Sequence, residues 1–289
     1  LAQMAACWRG RVLPPLMNLY VGGDTTHAGL ERALSGGALT QRETDKRLRL
    51  GEAVLQVLQY SGEALAPELP RVIEPLLTAV RAMHFPATLR SSFIAILGTC
   101  VEIAPVAVAS SAARQLVALC AELVTLTSVA RTPRRRPRVQ AHVAGIDVHG
   151  HSVHAAVDSD SDSEMPNAAI DANTRLPQLR RAALLLLAVL VRTTRHQVDD
   201  YADEKSAAAD APLTALRLPG GGRLPDTDGA RRAAPPPPLL VTPTDLPSFY
   251  PLLQHVSTED LDALVRQQAR DCIDEAHLLE SAWAAAALV

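Results

Sequence analysis

Three stretches of this chain share one pattern, and that recurrence limits the fold more than any other feature. Leu48-Arg49-Leu50-Gly51-Glu52-Ala53-Val54-Leu55, Leu89-Arg90-Ser91-Ser92-Phe93-Ile94-Ala95-Ile96 and Leu179-Arg180-Arg181-Ala182-Ala183-Leu184-Leu185-Leu186 each run from a Leu-Arg pair into an apolar block. Arg49 and Arg90 are 41 residues apart, inside the roughly 40–47 of a HEAT or armadillo unit. Arg90 and Arg180 are 90 apart. A biased segment over 130–174 accounts for the excess, so the third copy reads as the next repeat after an insertion. The Leu-Arg pair itself reads as structural: Leu opens the buried face, and Arg lays its stem on the adjacent turn with its head in water.

The periodicity between the copies is helical. Leu50, Val54, Val57 and Leu58 fall on one face, and Ser61-Gly62 supplies a stop. A second helix is expected from about Pro67, with Leu69, Val72, Ile73, Leu76, Leu77 and Val80 in register for three turns and a kink at Pro75. Leu89, Phe93, Ile96, Leu97 and Cys100 form the next inner face, stopped near Pro105, and Leu116, Leu119, Cys120, Leu123 and Val124 form its partner. After the insertion, Leu179, Ala183, Leu186, Leu187 and Leu190 fill a face that Leu184 and Leu185 broaden, with Pro177 in the first turn. No such helix can bury its stripe alone. Paired helices stacked on further pairs are the unit of an α-solenoid.

Composition agrees. The chain has 289 residues, 48% apolar and 20% charged but only 3% aromatic, which favours helices packed on helices over a β architecture. A net charge of −3 gives no global attraction to nucleic acid. The apolar run between Arg181 and Arg192 is too short for the roughly 20 residues of a membrane crossing. Cys7, Cys100, Cys120 and Cys272 are scattered without a C-x-x-C pair, as reduced thiols in a cytosolic or nuclear protein are. The chain opens on Leu1 and reads as a piece of a longer protein.

Six regions follow. Residues 1–44 are the end of a preceding repeat, with Trp8, Val12, Leu16, Leu19 and Tyr20 at helical spacing, plus a glycine-rich linker. HEAT-like repeats fill 45–129, a disordered insertion 130–175, and a continuing repeat helix 176–198. A Pro/Gly-rich disordered insertion spans 199–247, with a proline run at Pro235–Pro238. C-terminal helices occupy 248–289, where Ser257-Thr258-Glu259-Asp260 is the expected N-terminal cap and Leu261, Leu264, Val265 and Gln268 lead to Cys272, Ile273, Ala276 and Leu279.

The first insertion carries the sites with chemical potential. Arg134, Arg135, Arg136 and Arg138 stand in a proline-broken basic run, a candidate import signal set against a plain solvated loop base. Ser159, Ser161 and Ser163 alternate with acidic residues, as an acidophilic kinase prefers, although the tract serves equally as a spacer. His142, His149, His151 and His154 lack the cysteines, fixed frame and supporting partners of a metal site. No G-x-S-x-G, H-E-x-x-H or Walker pattern occurs, so the reading is non-enzymatic, with no catalytic, cofactor-binding or metal residues.

Arg47-Leu48-Arg49-Leu50-Gly51-Glu52-Ala53 to Gly62-Glu63-Ala64-Leu65, Leu89-Arg90-Ser91-Ser92 to Leu97-Gly98, and Leu179-Arg180-Arg181-Ala182-Ala183 to Leu190 resemble the C-terminal domains of the family required for nuclear transport of RNA polymerase II. That family also resembles the animal transport and Golgi organisation proteins. The resemblance covers a little over a third of the chain, and the long insertions depart from it. It implies a karyopherin-like HEAT protein, cytoplasmic and shuttling to the nucleus, with polymerase subunits, assembly cochaperones and nucleoporins as partners. The alternative it leaves open is a scaffold of the secretory pathway. The fold expected is all-α, a HEAT/armadillo-type solenoid with core positions Leu50, Val54, Leu58, Val72, Ile73, Leu76, Leu77, Phe93, Leu97, Leu119, Leu123, Leu186, Leu187 and Leu190.

Overall fold

The computed structural model describes residues 11–21, 39–82, 84–125, 167–210 and 237–288. Among these the chain is helical, and no strand occurs. The helices are α1 (Leu13–Val21), α2 (Gln41–Ser61), α3 (Leu69–Arg81), α4 (Ala87–Ile103), α5 (Pro105–Ser111), α6 (Ala113–Val124), α7 (Asn167–Asp210), α8 (Leu246–Glu259) and α9 (Ala263–Leu288). A 3-10 segment, Gly62–Glu68, joins α2 to α3. No single helix among the described residues is long and apolar enough to cross a membrane.

Local chemistry sets the boundaries. Thr40 caps α2: its hydroxyl accepts from the Glu43 amide at 3.3 Å, and the Glu43 carboxylate accepts from the Thr40 amide at 3.1 Å. This reciprocal cap starts α2 at Gln41, four residues inside the expected linker. Gly62 ends α2 at φ +54°, a backbone conformation that L side chains rarely adopt. Pro67 lies in the 3-10 segment, and α3 begins at Leu69 with Pro70 in its first turn. Pro105 stops α4 as expected but also opens the short α5.

The second half departs further from expectation. Helix α7 runs 44 residues instead of occupying 176–198, and Pro177 lies inside it. Alanine and mixed charge at its ends, as in Ala202-Asp203-Glu204-Lys205, favour helix without supplying an apolar stripe, so those ends read as insertion. Part of the second insertion is ordered as well: Leu240 and Val241 are buried, and the Val241 amide donates to Thr194 Oγ1 at 3.2 Å. Helix α8 begins at Leu246, where Pro247 and Pro251 had masked its pattern. Ser257-Thr258-Glu259-Asp260 closes α8 instead of opening a helix, with Ser257 Oγ and Thr258 Oγ1 donating to the Gln254 carbonyl. The cap of α9 is Asp262, whose carboxylate accepts from the Leu264 and Val265 amides at 2.9 and 3.0 Å.

Four hairpins, α1–α2, α3–α4, α6–α7 and α8–α9, pack in one orientation. Their second helices lie side by side and run the same way. Gly51 of α2 abuts Ser92 of α4, Gly98 of α4 faces Leu186 of α7, and Leu184 and Arg192 of α7 meet Cys272 and Glu275 of α9. Behind them, Arg81 of α3 pairs with Glu122 of α6 at 3.1 Å, and the end of α6 borders the end of α8. Helix α4, packed against α2, α3 and α7, buries Ile94 and Val101 as well as the expected face.

Of the expected core, Val54, Leu58, Val72, Ile73, Leu76, Leu77, Phe93, Leu97, Leu119, Leu123, Leu186, Leu187 and Leu190 are buried. Leu50 is not. It sits at the margin of α2, half-buried, because the position that faces α1 and α4 is Gly51. A Cβ there would stand 2.8 Å from Tyr20 Oη and 2.9 Å from Ser92 Oγ, two groups that are themselves bonded at 2.7 Å. Tyr20 is fully buried and packs edge-on against Phe93. Leu19, Leu261 and Leu264 are exposed, contrary to the helical faces assigned to them.

The arginine of the Leu-Arg pair also behaves differently from expectation. Arg49 is exposed, but Arg90 and Arg180 are buried to their heads. Arg90 Nε donates to the Val80 carbonyl at 2.6 Å, at the C-terminal end of α3. Arg180 borders Val124 and Thr125 at the end of α6 and pairs with Asp260 at 2.8 Å. Arg266 Nη1 donates to the Asp260 carbonyl at 2.6 Å, at the end of α8, and Arg47 Nη1 reaches Val21 O at the end of α1 at 3.4 Å. Each hairpin therefore places a cation from its second helix at the C-terminus of its first, where carbonyls lack intrahelical partners and the helix dipole is negative.

Candidate functional site

Parallel neighbours leave a furrow between them wherever the facing side chains are small. Between α4 and α7 those residues are Ala95 and Gly98 on one side and Ala182 on the other, and an open groove of about 450 Å³ results. Gly98 matters here for its missing side chain: a Cβ would find only Leu186 Cδ1, at 3.9 Å. Ile94 and Val189 add apolar wall, and Leu185 stands in the groove with 55% of its surface exposed. The volume lies within the roughly 300–1,000 Å³ of ligand sites, and the lining is apolar as such sites are.

On its α7 side the groove is tied to the next helix pair by ion pairs. Arg181 forms a bidentate pair with Asp262, its Nε donating to Oδ1 at 3.2 Å. Farther along, Arg192 and Arg195 both grip Glu275, at 3.1 Å each. The Arg181 hydrogen bond is the largest of the effects that hold the Asp262 carboxyl below its ordinary range, and the α9 cap amides add to it. Every arginine on this stretch of α7 is thus tied to a carboxylate of the next hairpin. At the other end of the groove Glu102 has no ion-pair partner among the described residues and is exposed.

The buried thiols offer no reactive centre. Burial pushes Cys100 and Cys272 up to about 12 and raises Cys120 further, so the nucleophilic thiolate is scarce at neutral pH. Among the described residues no group of His, Cys, Asp and Glu is placed to hold a metal ion.

Of the positions singled out in the sequence, Leu186 lines the groove. Arg134, Arg135, Arg136, Arg138, Ser159, Ser161, Ser163 and the four histidines between 142 and 154 lie outside the described residues. Leu185, at the centre of the groove, reads in the sequence as part of the buried face. One signal marked it: in Leu184-Leu185-Leu186-Leu187 a helix cannot point every side chain at one neighbour. Compared with protein-family models, with curated proteins and with solved structures, the chain matches none.

Proposed function

We propose that this chain is a HEAT/armadillo-type α-solenoid that serves as a non-enzymatic adaptor in the assembly and nuclear import of RNA polymerase II. One observation supports the architecture above the others: in four helix pairs an arginine of the second helix stands at the C-terminal end of the first, Arg47, Arg90 and Arg266 donating to a carbonyl there and Arg180 bordering it. A repeated cap joining like units is what a stack built by repetition of one hairpin requires. Arg266 follows Arg180 by 86 residues, and in the first pair the arginine at the helix end is Arg47, two residues before that of Leu48-Arg49.

The role as an adaptor draws on the groove. Its lining presents apolar wall with a carboxylate, Glu102, that has no ion-pair partner among the described residues, a surface suited to holding a partner. The cargo assignment draws on the resemblance of residues 47–65, 89–98 and 179–190 to the polymerase transport family, with cytoplasmic residence and shuttling to the nucleus. Co-fractionation of the full-length protein tests it. Polymerase subunits and assembly cochaperones in the same soluble fractions are the expected result, and recovery with Golgi membranes would replace this reading by the secretory-pathway scaffold.

A further inference from the structure

We propose that the α4–α7 groove takes an amphipathic helix of a partner protein, apolar on the face that enters and carrying Lys or Arg at the end that meets Glu102. The proposal deepens the adaptor reading and rests on it for the premise that this face receives a protein. Three observations fix the chemistry of the occupant.

The first is shape. The groove runs along α4 from Ser91 to Glu102, eleven steps or about 16 Å at 1.5 Å per residue, close to three helical turns. A furrow between two helices, floored by Ala95, Gly98 and Ala182, accepts the ridge of a third helix. Strand addition has no template, since the described residues offer no sheet edge. The second is apolarity. Leu185 lies exposed beside Ile94 and Val189, and residues at i, i+3 or i+4, and i+7 of an incoming helix would cover it.

The third is charge. The described arginines of α7 from Arg181 to Arg195 are spoken for: Arg181 by Asp262, Arg192 and Arg195 by Glu275. Glu102 is therefore the uncompensated charge among the described residues of the lining. An acidic occupant would meet that carboxylate without a free cation to offset it. A basic one gains an ion pair that selects its direction along the groove more than it adds affinity.

The test uses the whole chain and a displayed library of random 16-residue peptides, selected against the wild type, Leu185→Asp, Glu102→Lys and the remote control Tyr60→Ser. Leu185 and Glu102 are exposed, so neither substitution removes core packing, and melting curves verify this. Peptides with an i, i+4, i+7 apolar stripe and a terminal Lys or Arg should enrich on the wild type. Their binding should fall at least tenfold on Leu185→Asp, and Glu102→Lys should shift the selected end residue to Asp or Glu. Tyr60→Ser should bind as the wild type does. Absence of enriched peptides, equal binding to Leu185→Asp, or a basic preference unchanged by Glu102→Lys would overturn the proposal. A parallel titration with oleate covers the other occupant: uptake that depends on Leu185, without peptide enrichment, would make the groove a lipid site. Neither arm contains polymerase or membrane, so failure here leaves the cargo assignment to the co-fractionation.

Discussion

Arg180 Nη2 donates to Asp260 Oδ1 at 3.0 Å while Nε stands 2.8 Å from Oδ2, and both side chains are more than nine-tenths buried. The pair ties α7 to the turn between α8 and α9 and sets the last two hairpins against each other. Removing one partner leaves the other charged and dry. Arg180→Met should therefore lower the unfolding free energy by about 3–5 kcal/mol, and Arg180→Met with Asp260→Leu should recover most of it. Urea unfolding checks both. A single variant within about 0.5 kcal/mol of the wild type would mean that the pair is hydrated and incidental.

Gly51 and Gly98 both lie in helices, yet their replacement by Ala should act in opposite directions. At Gly98 the new methyl meets nothing closer than 3.9 Å, so it should bring the helix-propensity gain of up to about 1 kcal/mol. At Gly51 it runs into the buried Tyr20–Ser92 hydrogen bond, and overpacking of about 1–3 kcal/mol should outweigh that gain. Thermal melts of the two variants should move apart. Equal upward shifts would show that α1 does not seat against α2 as described.

Leu97→Ala and Leu187→Ala should each cost about 2–5 kcal/mol, because both side chains are fully enclosed between neighbouring helices. Leu50→Ala should cost about half as much or less, since its side chain is only half-buried. A reversed order in denaturant unfolding would contradict the face assignment.

The helical faces were legible from residues such as Val72, Ile73, Leu76 and Leu77, because amphipathic spacing records which side of a helix meets the core. Positions fixed by a neighbour distant in sequence left no such record. Gly51 is small because Tyr20 and Ser92 converge on it, and Arg180 is buried because Asp260 lies 80 residues away to receive it. The ends of α7 were invisible for another reason: alanine and mixed charge promote helix without an apolar stripe. The groove was hidden by its own apolarity, since an exposed Leu185 and a buried Leu186 look the same in a run of leucines.

Asp262 joins the cap of α9 to the pair with Arg181, and its carboxyl is held below its ordinary value of 3.8. A depressed carboxyl contributes stability above its unfolded pKa and loses it as the pH falls through the lower folded value. Asp262→Asn keeps a cap acceptor but loses the ion pair. The wild type should therefore exceed it in stability at pH 7, and the gap should close below pH 3.8. Asp262→Ala should lose the cap too, for about 0.5–2 kcal/mol more. A gap that stays constant to pH 2 would show that the charge at Asp262 contributes nothing.

The most direct measurement is quantitative affinity purification of the full-length protein in three forms: wild type, Leu185→Asp in the groove, and Leu19→Asp on the exposed side of α1, remote from it. The account predicts that polymerase subunits and assembly cochaperones accompany the wild type and Leu19→Asp, and fall at least tenfold with Leu185→Asp. Recovery of the same partners with Leu185→Asp, or their absence from the wild type, would contradict it.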